Sequence, residues 1–216
     1  MTRVKVCGIT RVADALAAAA AGVDAIGLNF WPGTPRRIDF EAARAIVAAV
    51  PPMVVVVGLF VDPAAADVRA AQEAVALDVL QFHGDEPPAF CRAFGRRYMK
   101  AIAAKEGVDL LRCAERYADA AGLIFDAHVP GDLPGGTGRT FDWSRVPRTL
   151  ARPLVLSGGL DAGNVGAAIR DVRPFAVDVS SGVEARDDEG KPRRGIKDPA
   201  RIEAFIEAVR NADVRS

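Results

Sequence analysis

Cysteine, histidine, aromatic side chains and net charge are all scarce in this chain, and each scarcity removes a class of protein. The 216 residues hold three cysteines, Cys7, Cys91 and Cys113, at long spacings and without a CxxC pair. Two histidines, His83 and His128, are the only imidazoles that could join them. Neither a disulfide framework nor a zinc site is expected. The 28 basic and 28 acidic side chains cancel, and the basic ones are scattered. A nucleic-acid groove or an anionic membrane surface calls for a clustered excess of Lys and Arg, so neither partner is expected. Spanning a bilayer takes roughly 20 consecutive apolar residues. The longest candidate, from Val12 to Phe30, is interrupted by Asp14, Gly22 and Asp24. The opening MTRVKVCGIT enters a strand-like pattern without the features of a signal peptide, and a cytoplasmic setting is expected.

Apolar residues, by contrast, make up 50% of the chain. At this length one domain, residues 1–216, buries roughly 70% of the surface that the unfolded chain exposes, enough for a core without staples. Short apolar runs alternate with longer Ala-rich stretches from end to end. Strands are expected at Val4 to Cys7, Ala25 to Phe30, Val54 to Phe60, Val79 to Phe82, Met99 to Ala103, Gly122 to Asp126, Leu154 to Ser157 and Ala176 to Val179. Helices are expected at Val12 to Ala21, Phe40 to Val50, Ala64 to Ala76, Pro88 to Gly95, Val108 to Ala118, Ala162 to Val172 and Pro199 to Asn211. The segment after the sixth strand is irregular. Strands that read as buried on both faces, each followed by a crossover, pair in parallel. The fold class is therefore α/β, a single-domain (β/α)8 TIM barrel of compact size. An open doubly wound sheet is the rival, but the first strand runs into Cys7-Gly8-Ile9-Thr10 rather than GxGxxG, and no Walker-type loop occurs.

Active sites of such barrels are built at the C-terminal ends of the strands. Period-two alternation turns Lys5 and Cys7 to one face of strand one and apolar Val4 and Val6 to the other, so the first pair points into the barrel. Cys7 is a small core thiol or, at a strand end beside an inward Lys that favours thiolate, a base or nucleophile. Asp126 closes strand six and either caps a turn or serves as an acid. An inward Lys5 needs a counter-charge, and Asp178 of strand eight is the neighbour that barrel closure supplies, giving a Lys5 to Asp178 ion pair beneath the site. The turns at Ser157-Gly158-Gly159 and Ser180-Ser181-Gly182 offer backbone N–H groups to an anion, as the loops after strands seven and eight commonly do in this fold. A phosphorylated small molecule is the expected ligand, held by Gly158, Gly159, Ser180 and Ser181. Gly136 and Gly138, in the long loop after strand six, are either a hinge or a further phosphate contact. Arg36, next to Arg37 in the loop after strand two, either pairs with a substrate carboxylate or is solvated. His83 is either catalytic or a neutral histidine that orients its loop. Gln81, His83 and Asp178 complete the expected substrate-binding set.

The segments Lys5-Val6-Cys7-Gly8-Ile9-Thr10, Gln81-Phe82-His83-Gly84, Phe141-Asp142-Trp143, Leu156-Ser157-Gly158-Gly159-Leu160 and Val177-Asp178-Val179-Ser180-Ser181-Gly182-Val183-Glu184 together resemble the phosphoribosylanthranilate isomerases of tryptophan biosynthesis. The resemblance covers essentially the whole chain. It implies an Amadori rearrangement of N-(5-phosphoribosyl)anthranilate to 1-(2-carboxyphenylamino)-1-deoxyribulose 5-phosphate, without metal or organic cofactor. The sequence leaves open whether the chain acts as a monomer or a homodimer. It assigns the general base to Cys7, the general acid to Asp126 and the hold on the anthranilate carboxylate to Arg36, with Arg37 as the neighbouring candidate. Acting as a base at neutral pH calls for a lowered thiol pKa. Ala185 to Asp198 is the departure, since the family's run from the glutamate to Gly-x-Lys-Asp is expected to be shorter. Two other readings remain: an isomerase of another aminoribosyl phosphate, such as the histidine-pathway substrate, and a non-catalytic barrel that binds phosphate ligands.

Overall fold

The eight apolar runs pair side by side into a closed cylinder. In the computed structural model, which describes residues 1–127 and 140–214, they form parallel strands β1 (Arg3–Cys7), β2 (Ala25–Asn29), β3 (Val55–Phe60), β4 (Val79–Phe82), β5 (Tyr98–Ala103), β6 (Gly122–Asp126), β7 (Leu154–Leu156) and β8 (Ala176–Val179). Each strand bonds to the next, and β8 returns to β1 with Lys5 opposite Asp178. Closure leaves no edge strand in this sheet, and the short apolar segments need no charged residues to protect one.

Helices cover the outside: α1 (Val12–Ala21), α2 (Phe40–Ala49), α3 (Ala65–Ala74), α4 (Pro88–Cys91), α5 (Leu110–Arg116), α6 (Val165–Val172) and α7 (Pro199–Val214). None is long and apolar enough to cross a membrane. Their boundaries follow local chemistry. Asp109 caps α5 by accepting from the Leu111 and Arg112 amides, so the helix starts at Leu110 rather than Val108. Asp161 accepts from the Gly163 and Asn164 amides in a turn that delays α6 to Val165. The stretch from Pro88 tightens into a 3-10 turn at Arg92–Phe94 and stops at Gly95, whose φ of 64° suits glycine. Between β6 and β7 the described residues hold a 3-10 turn, Trp143–Arg145, and no α-helix. This is the crossover expected to be irregular. One feature was not expected: after β8 the chain folds into an antiparallel hairpin, β9 (Glu184–Arg186) and β10 (Pro192–Lys197), before α7.

The strands separate two apolar regions. Val4, Val6, Ile26, Leu28, Phe60, Leu80, Phe82, Leu123, Phe125 and Leu156 point outward into the main core under the helices. Ala101, Ile124, Val155 and Ala176, with Met99 against them, form a smaller cluster inside the cylinder. Two residues further along β6 and β8 the inward positions become Asp126 and Asp178. The interior is therefore apolar low in the barrel and ionic at the strand ends.

Candidate active site

Lys5 and Cys7 both point into the barrel, as alternation predicts, and they crowd the facing strand. A Cβ on Gly27 of β2, the register partner of Cys7, would lie 2.8 Å from the Cys7 Sγ and 3.1 Å from the Lys5 Nζ. Only glycine leaves room there for the thiol and the ammonium together. Lys5 Nζ donates to Asp178 Oδ1 at 2.9 Å and to Oδ2 at 3.0 Å, with both side chains buried. Burial works against the Lys5 charge, but Asp178 and Cys7 outweigh it, and the ammonium is held above its ordinary pKa.

The same surroundings correct one expectation. The Cys7 pKa is raised, not lowered: burial pushes the thiol up and Asp178 adds to the push, while Lys5, with a smaller contribution from Lys197, pulls it down without prevailing. A lysine beside a cysteine favours thiolate in an open cleft. Inside this barrel the desolvation of the thiolate is the larger effect.

Across the mouth, Asp126 ends β6 with its side chain buried. His83 Nε2 lies 3.0 Å from Asp126 Oδ2, and Gln81 Nε2 lies 3.3 Å from His83 Nδ1. Gln81 and His83, two residues apart at the end of β4, thus reach the acid candidate in series. Gly158, at φ 90°, brings the turn after β7 against Ala127, and a Cβ on it would come within 2.9 Å of Asp126 Oδ1. Gly159, at φ 63°, continues this turn and its carbonyl accepts from Asn164 Nδ2.

The turn after β8 is anchored by a residue absent from the expected set. Lys197 of β10 donates to the Ser180 carbonyl at 2.9 Å and approaches its hydroxyl at 3.4 Å. Ser181 opens the 3-10 turn Ser181–Val183, and Gly182 sits against the Leu160 carbonyl from the turn after β7. Gly158, Gly159, Ser180 and Ser181 thus share one rim. Gly136 and Gly138 lie outside the described residues, as does His128.

Arg36 is not a solvated surface residue. It is 6% exposed, and its Nε and Nη2 bind Glu184 Oε1 and Oε2 at 2.7 and 2.9 Å. Its stem lies over Gly8, where a Cβ would meet Arg36 Cδ at 2.7 Å and Ser180 Oγ at 3.3 Å. Arg36 therefore borders the Cys7-Gly8 turn and the β8 loop. Arg37 instead lines a cleft of about 490 Å³ with Trp31, Phe40 and Asp62, between the loops after β2 and β3. Glu184, fully buried, also accepts from the Gly195 amide at 2.8 Å and from Lys197 at 3.4 Å. Burial alone would raise its pKa, but Arg36, Lys197 and the Gly195 N–H hold it below the usual carboxylate value. Burial takes Lys197 the other way, down to about 8, with Glu184 opposing and Arg36 reinforcing the shift. Glu184 and Lys197 are the site residues that sequence reasoning missed. The quoted VDVSSGVE and Gly-x-Lys-Asp segments contain them, but nothing in their spacing says that they meet Arg36.

A parallel barrel whose thiol, carboxylates and ammonium gather at the C-terminal strand ends is an enzyme of the (β/α)8-barrel class. Residues 4–208 match the family model for N-(5'-phosphoribosyl)anthranilate isomerase. An Azotobacter vinelandii protein named N-(5'-phosphoribosyl)anthranilate isomerase is 54% identical over 211 residues, covering 97% of this chain and 98% of that one. A solved phosphoribosyl anthranilate isomerase in complex with reduced 1-(o-carboxyphenylamino)-1-deoxyribulose 5-phosphate is 37% identical, with a TM-score of 0.81 over 98% of this chain and 100% of that one. Monomers generated from the dimeric Thermotoga maritima enzyme are likewise 37% identical, with a TM-score of 0.79 over 97% and 99% of the two chains. The chain belongs to the N-(5'-phosphoribosyl)anthranilate isomerase family and carries out the isomerase step of tryptophan biosynthesis.

Proposed function

We propose that the chain performs its isomerisation by general acid-base catalysis, with Asp126 as acid and Cys7 as base. The observation that carries this reading is the placement of the two groups at the ends of β6 and β1, around one mouth, with the Lys5–Asp178 pair joining β1 to β8 between them. The substrate is N-(5'-phosphoribosyl)anthranilate. Its phosphate sits against the turns after β7 and β8, where Gly158, Gly159, Ser180 and Ser181 supply donors, and its anthranilate carboxylate lies towards Arg36. Asp126 protonates the furanose ring oxygen. The C1–O bond breaks towards that oxygen while the nitrogen lone pair closes the C1–N double bond, giving a protonated Schiff base. Cys7 then removes the proton on C2, and the electron pair of that bond moves towards the cationic nitrogen. The resulting enaminol takes a proton at C1 and gives up its hydroxyl proton to become the ketone.

The raised thiol pKa fits this order of events. Lys5 alone does not overcome the burial of Cys7. The cationic nitrogen of the Schiff base adds a further positive charge near the thiol at the stage when the thiolate is needed. We take the working form to be a cytoplasmic monomer or homodimer.

The test is paired. Cys7→Ser and Asp126→Asn should each lower kcat by about 100-fold or more, the scale of a lost acid or base, while a reduced product analogue still binds. Near-normal kcat in either variant would remove that residue from the mechanism.

A further inference from the structure

A glutamine inside a barrel, fully buried and with half of its amide unsatisfied, is an expensive choice where an aliphatic side chain would fit. Gln81 is 0% exposed, and its Oε1 has no hydrogen-bond partner among the described residues. Among the described residues, Asp126 Oδ1 is the other buried carboxylate or amide oxygen in that position. Buried polar atoms left unpaired cost free energy unless something else is gained. Between these two residues stands His83, 3.3 Å from Gln81 Nε2 through Nδ1 and 3.0 Å from Asp126 Oδ2 through Nε2.

For a neutral imidazole beside the ionised acid, donor and acceptor chemistry allows one assignment. A carboxylate only accepts, so the ring nitrogen facing Asp126 carries the hydrogen. The neutral ring then presents a lone pair at Nδ1, and that lone pair needs a donor. The Gln81 NH2 group is the donor within reach, and reaching it leaves Oε1 unpaired. The orphaned Oε1 is thus the consequence of an amide turned to feed the imidazole.

We propose that Gln81 is a positioning residue that sets the tautomer of His83, so that the imidazole donates to Asp126 Oδ2 and leaves Oδ1 as the oxygen that delivers the proton. The inference rests on the reading of Asp126 as the acid. When Oδ1–H protonates the ring oxygen, the O–H bond breaks towards Asp126, and the carboxylate left behind already has an N–H donor on its other oxygen. The other groups facing Asp126 suit this division. Gly158 of the β7 turn crowds the Oδ1 side with backbone alone, and Asp178 of β8, which interacts electrostatically with Asp126, is tied to Lys5 of β1.

The chain has two histidines, so the ring nitrogens can be read directly from 15N-histidine-labelled protein, with His83→Gln identifying the signals. With the pH raised until the 15N signals stop changing, so that the ring is neutral, the wild-type spectrum should show His83 as the Nε2–H tautomer. Gln81→Leu should lose that single tautomer and lower kcat about tenfold or more, with KM within about threefold, the pattern of a group that acts only in the transition state. Gln81→Glu, whose carboxylate accepts from the ring, should place a proton on Nδ1 and change the 15N pattern accordingly. A wild-type Nδ1–H tautomer would overturn the proposal. So would a Gln81→Leu enzyme that keeps both the Nε2–H signature and normal kcat. If Asp126→Asn retains activity, the acid reading falls and the role given to Oδ1 falls with it, while the wild-type spectrum still decides the tautomer.

Discussion

Lys5 places an ammonium deep in the cylinder, one inward position above apolar side chains, and a buried charge is tolerated only with a partner. The bidentate contact with Asp178 supplies one. Lys5→Met would leave the Asp178 carboxylate buried and unpaired, and should destabilise the fold by about 3 to 5 kcal/mol in urea unfolding. It would also remove the main pull holding the Cys7 thiol down. The rate of alkylation at Cys7 should therefore rise with pH later than in the wild type, which the pH dependence of iodoacetamide labelling would show. An unchanged labelling profile would mean that Lys5 is structural only. The pairing itself was legible in the sequence, because alternation along two strands and closure of the barrel make these two residues neighbours. The direction of the thiol shift was not, since the extent of desolvation depends on what the other strands place around the sulfur.

The β9–β10 hairpin joins two parts of the site that are far apart in sequence. Its first strand holds Arg36 through Glu184, and its second holds the Ser180 carbonyl through Lys197. Glu184→Gln keeps the shape but removes the charge opposite Arg36. It should raise KM about tenfold or more with a smaller change in kcat, since the loss falls on positioning of the substrate rather than on proton transfer. Lys197 carries a pH signature. The unfolded chain keeps its proton up to the ordinary lysine value of 10.5, whereas the folded chain releases it at about 8. Between those values the unfolded state binds more protons, so this residue makes stability rise with pH. Relative to Lys197→Met, the wild type should gain about 2 kcal/mol of unfolding free energy between about pH 8 and 9.5. A constant difference would show that Lys197 is not titrating there. The hairpin was illegible for a plain reason: Arg186 to Arg194 is almost wholly polar, and Pro192 stands at the first position of β10. A two-stranded ribbon of this kind gives no apolar alternation to read.

For the whole molecule, eight apolar runs separated by helical stretches were enough to indicate a barrel, and the strand boundaries agree with expectation to within one residue at each end. Asp126, Lys5 and Cys7 could be placed because they lie on strands with a fixed period. Arg36 could not, because it lies in a loop without periodicity and its partner Glu184 belongs to the hairpin that the sequence did not reveal. Among the described residues, the sixth crossover holds a 3-10 turn where other units carry a helix. The pairing of Lys5 with Asp178 has a further consequence when the chain is considered as it folds. The partners are 173 positions apart, on the first and last strands of the cylinder. An intermediate that lacks β8 cannot neutralise Lys5 in this way. Contacts this distant in sequence slow folding, because the chain must close a long loop before they form. A chain that lacks β8 therefore lacks the counter-charge of Lys5, and the charge pattern around Cys7 is complete only when the cylinder is closed.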